Sequence, residues 1–521
     1  MTGAVRVLGR LRGQLGRVPR AGWLVFLVAF VNAAVWTAVI PPFQVPDETG
    51  HFAYAQYVAE TGKPPPQGPA PQFSPQEYTA LANLFFFDVI GHEQERGVIT
   101  PAEQSSLQAS LATGPSPVGP GGASSITNQP PLYYALAAIP YWLSPSNNIL
   151  DRLEFMRLLS ALLAALTVLA TFLFVRELFP SLGWAPIVGG LVVAFQPQFD
   201  FISSGVQGDS LLFFASAATF LALIRAYRHG LTLRRGVWVG LATVIGLLGK
   251  LTFVAFVPGI VVCLALIVWR SGRRSCGGSA VASGAAVGSG PRAVTRPRAA
   301  LGAGVAAGVA AVPVAVYGLL NATAWNRGGP TGGGFAGAAT AALPGNKVIT
   351  LRDSLDYTWE LLFPKLPFMN HAYFGYSPVR QIFFDGAIGR FGWLDYGFPP
   401  RVYTLAQDAF AVLAVLAVIG LWRSRRELAA VWPMVLGFAV MAAGLVGAIG
   451  FAGIRYLMST GLPFEQARYL FPLLAIYAVF IVLVSRAAPR RWAPALGAAL
   501  VILAMAHGLF AELLTISRYY G

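Results

Sequence analysis

The chain has 521 residues, of which 55% are apolar and only 11% charged, and its mean hydropathy is +0.60. Ordinary soluble proteins carry about 25% charged residues, so this composition excludes a soluble domain and indicates a polytopic membrane protein. The net charge of +15 falls in short runs between apolar segments, as topology determinants do, so no nucleic-acid partner is expected. The 2 cysteines, Cys263 in an apolar segment and Cys276 in a Gly/Ser tract, support neither a disulfide framework nor a thiolate metal site.

Residues 21–40 contain no charge. At about 1.5 Å per residue such a helix covers about 30 Å, one hydrocarbon thickness. A cleaved signal peptide is the alternative, but its apolar core is usually about 7 to 15 residues, shorter than this run. Directly after it comes PPFQVPDETGHFAYAQYVAETGKPP, residues 41–65, which sets Asp47 and Glu48 at the mouth of the helix. Pro41, Pro42 and Pro46 stop the helix and fix the backbone, so the acids sit at a defined depth, which suits the mounting of a catalytic base. Adjacent side chains on a helix diverge by about 100°, so one working carboxylate is expected rather than a pair. The alternatives are that Asp47 simply N-caps an amphipathic helix, or that Asp47, Glu48 and His51 hold a divalent metal.

Eleven apolar segments are long enough to read as spans: 21–40, 155–175, 184–202, 208–226, 235–249, 251–269, 299–321, 404–422, 429–453, 466–485 and 492–514. A further stretch, 131–143, is short. Reading it as an interfacial or re-entrant helix places 22 of the 37 Lys and Arg on one side, with only Glu177 and Glu427 of the 22 acids. By the positive-inside rule that side is cytoplasmic. The expectation is an all-α bundle of about eleven helices, with the N-terminus cytoplasmic and the C-terminus extracytoplasmic. It has an N-terminal module over 1–270 with a long extracytoplasmic loop at 41–154, and a C-terminal module over 299–521 with a second at 322–403. The Gly/Ala/Ser/Arg tract between them, 271–298, reads as a disordered cytoplasmic linker.

Both long loops face the same side and concentrate the candidate site residues. NQPPLYYALAAIPYWL, residues 128–143, pairs prolines with an aromatic and apolar face, which suits the lipid interface or an ordinary hydrophobic helix. FQPQFDFISSGVQGDS brings Asp200 and Asp209 to the outer surface. Lys250 in LLGKLTF lies between two apolar segments, where a cation either meets an anion or snorkels to water. GAIGRFGWLDYGFPP supplies Arg390, Trp393 and Asp395, and GLPFEQARYLFPLLAIYA supplies Glu465, Gln466, Arg468 and Tyr469. Arginine at a helix head suits a forked phosphate contact or a lipid headgroup, and Trp and Tyr suit sugar faces or the membrane boundary.

The runs PDETGHF, NQPPLYYAL, LLGKLTF, GRFGWLDYGFP and EQARYLFP, in this order, resemble the landmarks of a bacterial membrane family of the DUF2142 type, related to GT-C glycosyltransferases. The resemblance covers most of the chain. It implies a GT-C-like bundle in the bacterial plasma membrane, and transfer of a sugar from a polyprenyl-phosphate donor to an extracytoplasmic glycan or lipid acceptor of the cell envelope. It assigns the essential acid to Asp47, with Glu48 beside it, and donor-phosphate contacts to Lys250 or Arg468. His51, Asp209, Arg390, Trp393, Asp395, Gln466 and Tyr469 are the remaining substrate-binding candidates. Ala467 stands where many relatives have Gly. The alternatives are a polysaccharide polymerase or ligase, a transporter or flippase, and a non-enzymatic assembly component.

Overall fold

Prolines, glycines and charged runs divide the apolar sequence, and the computed structural model turns every expected span into helix. It describes residues 18–66, 73–97, 99–112, 124–277, 294–325, 327, 349–369 and 372–521. After α1 (Arg20–Val39), the first long loop carries α2 (Glu48–Thr61), α3 (Pro75–Asn83), α4 (Phe86–Val89), α5 (Pro101–Ala112), α6 (Ser124–Thr127) and α7 (Leu132–Leu143). Then follow α8 (Ile149–Leu178), α9 (Ala185–Ala194), α10 (Pro197–Ser203), α11 (Gly208–His229), α12 (Leu233–Gly249) and, through a tight turn of helix, α13 (Val257–Gly277). The second half opens with α14 (Arg296–Thr323), and its long loop holds α15 (Leu351–Glu360) and α16 (Asp385–Gly389). A two-stranded antiparallel ribbon follows, β1 (Arg390–Phe391) with β2 (Tyr396–Gly397), Arg390 opposite Gly397. The chain closes with α17 (Pro400–Ala429), α18 (Trp432–Thr460), α19 (Leu474–Arg486) and α20 (Ala493–Tyr520).

Among the described residues nine helices are long and apolar enough to cross a membrane, and α9 with α10 makes a tenth if that pair, bent by 60°, counts as one. The bend has a local cause. Pro197 has no N–H to continue the ladder, and the Gln196 side chain caps the new helix by accepting from Phe199 N at 2.5 Å. The remaining expected span is α12, 17 residues packed between α11 and α14. Helix α7, with 12 residues, is about 18 Å long, too short for a hydrocarbon layer of about 30 Å, and it packs on α2 and α8. The expected linker is helical at both ends, up to Gly277 and from Arg296, and its residues 278–293 lie outside the described residues.

Small residues let helices touch. A Cβ on Gly420 would run into the Leu483 carbonyl, and one on Gly236 into that of Gly302, which fixes α17 on α19 and α12 on α14. The core between helices is aromatic, with Phe220 edge-on to Phe438 at 4.9 Å and Phe201 edge-on to Phe391 at 5.4 Å. Polar ties gather at the two ends of the bundle. One end holds Arg225–Glu177 at 3.0 Å and Arg486–Glu427 at 2.9 Å. The other joins both long loops to the C-terminal helix, where Arg518 donates to the carbonyls of Glu95 and His92, each at 2.8 Å, and lies 3.5 Å from Asp395.

Candidate functional site

The segment between α1 and α2 is pinned from several helices. Arg157 of α8, fully buried, donates to the carbonyls of Ile40 and Pro41 at 2.9 Å each, so it ties the frayed end of α1 to the proline turn. The same guanidinium forks onto Glu48, with Nε to Oε1 at 2.8 Å and Nη2 to Oε2 at 2.6 Å. Val206 N adds a third donor to Glu48 at 2.9 Å, and Gln207 Nε2 donates to the Pro46 carbonyl. Glu48 was expected beside Asp47 at the reacting centre. Its side chain has 0% accessibility and three N–H donors, so it faces no cavity and acts as a fastener for the loop that carries Asp47.

Asp47 stands at the N-cap of α2 in the left-handed region, φ 64° and ψ 2°, and its side chain makes no capping bond. That separates two sequence readings. The residue occupies the capping position, but the carboxylate is turned away from the helix and accepts from Arg468 Nη2 instead. A left-handed non-glycine residue costs on the order of 1–3 kcal/mol and persists only where its surroundings impose it. Here the imposing contacts are Arg157, Gln207 and Arg468, whose Nη1 also donates to the Pro46 carbonyl at 3.4 Å.

Four charges then alternate in sign. Asp47 pairs with Arg468; Arg468 Nε lies 3.9 Å from Asp209 Oδ2; Asp209 Oδ1 accepts from Lys250 Nζ at 2.5 Å. The side chains of Arg468, Asp209 and Lys250 are 4%, 2% and 12% accessible, against 40% for Asp47, so Asp47 is the member of the quartet open to an incoming group. Burial raises the Asp47 carboxyl, but Arg468 and, farther off, Lys250 outweigh it and leave the group below its ordinary 3.8. His51, one turn into α2, is held neutral: burial and then Lys250 push it down to about 3, and its Nδ1 lies 2.8 Å from the Tyr134 hydroxyl. Tyr134 in turn stacks on Tyr54 at 3.7 Å. Arg468 Nε and Asp209 Oδ2 are buried with no hydrogen-bond partner.

Asp47, His51, Asp209, Lys250 and Arg468 are therefore brought together, and Tyr469 lies beside them with the Arg468 guanidinium 5.5 Å from its ring. Trp393 and Asp395 are engaged elsewhere. Trp393 meets Phe86 of α4 edge-on at 5.8 Å, and Asp395 lies 3.5 Å from Arg518 of α20, so the turn of the β-ribbon is tied to the first long loop by one and to the last helix by the other. Arg390 and Gln466 line a cavity of about 180 Å³ beside Ala467, the neighbour of Arg468. Asp200 accepts from Asn32 at 2.9 Å, outside the quartet. Among the described residues no three His, Cys, Asp or Glu are placed to share a metal ion. Asp47, Glu48 and His51 turn to Arg468, Arg157 and Tyr134, so the suggested metal set does not converge.

Sequence reasoning passed over Arg157 and Tyr357, whose hydroxyl donates to Glu465 at 2.5 Å. For Arg157 a signal existed: a lone arginine inside the apolar run 155–175 is an intramembrane charge that needs a partner.

Fold and site together define a multi-pass, nearly all-helical membrane protein with a charged centre at one end of its bundle. The chain belongs to the family described as "Predicted membrane protein (DUF2142)", which matches residues 30–477. Among solved structures it is similar to the oligosaccharyltransferase of Archaeoglobus fulgidus in the apo form, at 13% identity and a TM-score of 0.42, covering 96% of this chain and 56% of that one. The same enzyme tethered to an acceptor peptide containing the NVT sequon gives 13%, 0.43, 96% and 55%. The archaeal oligosaccharyltransferase AglB from that organism, in complex with an inhibitory peptide and a dolichol-phosphate, gives 14%, 0.41, 96% and 56%. The chain thus spans about half the length of these structures. No curated protein matches it.

Proposed function

We propose that the protein is a membrane glycosyltransferase, moving a sugar from a polyprenyl-phosphate donor to an extracytoplasmic glycan or lipid acceptor of the bacterial cell envelope. Asp47 serves as general base. The observation that carries this reading is that Asp47, at the helix N-cap, spends its carboxylate on Arg468 and keeps it accessible, at the open end of a chain of charges that runs through Arg468 and Asp209 to Lys250. Asp47 takes the proton of the acceptor hydroxyl as the acceptor oxygen bonds to the anomeric carbon. The bond from that carbon to the phosphate oxygen breaks, and the lipid phosphate leaves with the electron pair. Arg468 Nε, free of a hydrogen bond, and the remaining N–H donors of Lys250 suit the charge that grows on the leaving phosphate. Displacement from the opposite face inverts the anomeric centre. His51, neutral, positions Tyr134 and adds no charge that would compete for the base.

One feature favours a carrier instead. The break at Gln196–Pro197 within an apolar element is a feature that transporters share. A single assay separates the two readings: transfer from a polyprenyl-phosphate sugar into envelope glycan, in membranes holding wild type or Asp47→Asn at matched abundance. The base reading expects transfer to be lost; full activity of Asp47→Asn would sink it.

A further inference from the structure

The cavity beside Ala467 lies outside the quartet and is joined to it through the chain, where Ala467 of its lining precedes Arg468. Its volume is about 180 Å³, below the roughly 300–1,000 Å³ of pockets that take drug-sized ligands, so a single ring fits and a peptide or an oligosaccharide does not. Of its polar lining Gln198 and Glu465 are buried, Gln466 is half-buried, and Tyr376, Gln381 and Arg390 are exposed. Gln198 Oε1 is buried with no partner. Glu465 is held in place by the Tyr357 hydroxyl at 2.5 Å and by Phe464 N at 3.2 Å.

The lining chemistry narrows the occupant. Three amide side chains offer both donors and acceptors, which matches hydroxyl groups that do the same. One carboxylate and one guanidinium balance, so the cavity favours neither an anion nor a cation: Glu465 opposes a phosphate and Arg390 a metal ion. The unpartnered buried oxygen of Gln198 costs about 1–3 kcal/mol unless a ligand or water donates to it. The exposed Tyr376 offers an aromatic face to the carbon side of a ring.

We propose that this cavity, whose Ala467 precedes the partner of Asp47 in the chain, seats one neutral sugar ring of the acceptor. The assignment rests on the transferase reading above, but sugar binding is measured without turnover, so the two fail separately. The experiment uses the full chain in lipid nanodiscs and saturation-transfer NMR with methyl glycosides of the neutral hexoses and pentoses, with glucose 6-phosphate as the anionic probe. At least one neutral glycoside should bind wild type and Asp47→Asn alike, and bind about tenfold more weakly to Gln466→Leu and to Arg390→Gln, the latter an exposed residue whose replacement leaves the fold intact. In the transfer assay the same two variants should raise KM for the acceptor while KM for the donor stays put. No binding of any neutral glycoside, preference for the phosphorylated sugar, or unchanged binding in both variants overturns the proposal. A rise confined to the donor KM assigns the ring to the donor and overturns it equally. Glycoside binding without any transfer by wild type would instead sink the transferase reading and leave the sugar site standing.

Discussion

Arg468 closes onto Asp47 from 421 positions away in sequence, and in doing so it bridges the turn after the first apolar helix to the head of the penultimate one. The pair is asymmetric: the guanidinium is buried at 4% accessibility while the carboxylate keeps 40%. A cation so placed does two things. It holds the carboxylate ionised, and in the proposed reaction it is the cation that meets the departing phosphate.

Asp47→Asn should lower transfer by about two to four orders of magnitude, the usual contribution of a positioned base, with donor binding largely retained. Asparagine tolerates the left-handed backbone nearly as well as aspartate, so the φ of 64° is no obstacle to folding. The check is initial transfer rate beside thermal stability in detergent.

Glu48→Gln should fail differently. Glu48 is the fully buried partner of Arg157, the other being the more exposed Glu154 at 3.1 Å, so its loss costs at most about 3–5 kcal/mol; the variant should show reduced abundance and a lower melting temperature, with activity falling in step with the folded fraction. A Glu48→Gln protein of normal stability that is inactive would return Glu48 to the reacting centre.

Acid sensitivity depends on Arg468. In the proposed mechanism Asp47 has to be a carboxylate, and its group lies below 3.8 because Arg468 above all outweighs the upward push of burial. The acidic limb of the wild-type pH profile should therefore fall below 3.8, and in Arg468→Gln, where burial dominates, it should move to higher pH. The profile of kcat/KM against pH decides; an unmoved limb removes Asp47 as the titrating base.

Lys250→Gln should weaken the donor more than the fold. The ammonium spends one contact on Asp209 at 2.5 Å and has two further N–H groups for phosphate. A rise of about tenfold in donor KM, with acceptor KM unchanged, is expected, and equal KM values would assign Lys250 to pairing with Asp209 alone.

Membrane orientation is open to labelling. Single cysteines at Glu93, in the first long loop, and at Arg490, between α19 and α20, are both exposed and belong to opposite ends of the bundle. An impermeant thiol reagent added to intact cells should modify the first and spare the second. The reverse pattern would put the charged centre in the cytoplasm and remove the basis for an extracytoplasmic acceptor.

The span pattern was legible in the sequence because a hydrocarbon layer tests each segment separately: length and apolarity of residues 21–40 or 299–321 are properties of that segment alone. The position of Asp47 was legible too, since it lies just beyond a helix that cannot extend past Pro41. What Asp47 and Glu48 each do could not be read there. They are neighbours with equal chemistry, and only packing decides that one is clamped by Arg157 and Val206 while the other is left to Arg468. The same holds for Arg390 and Trp393, three positions apart in one motif, of which one lines the cavity by Ala467 and the other packs on Phe86. Periodicity and composition act through the local chain, whereas an ion pair across 421 positions exists only once the helices that carry it have packed.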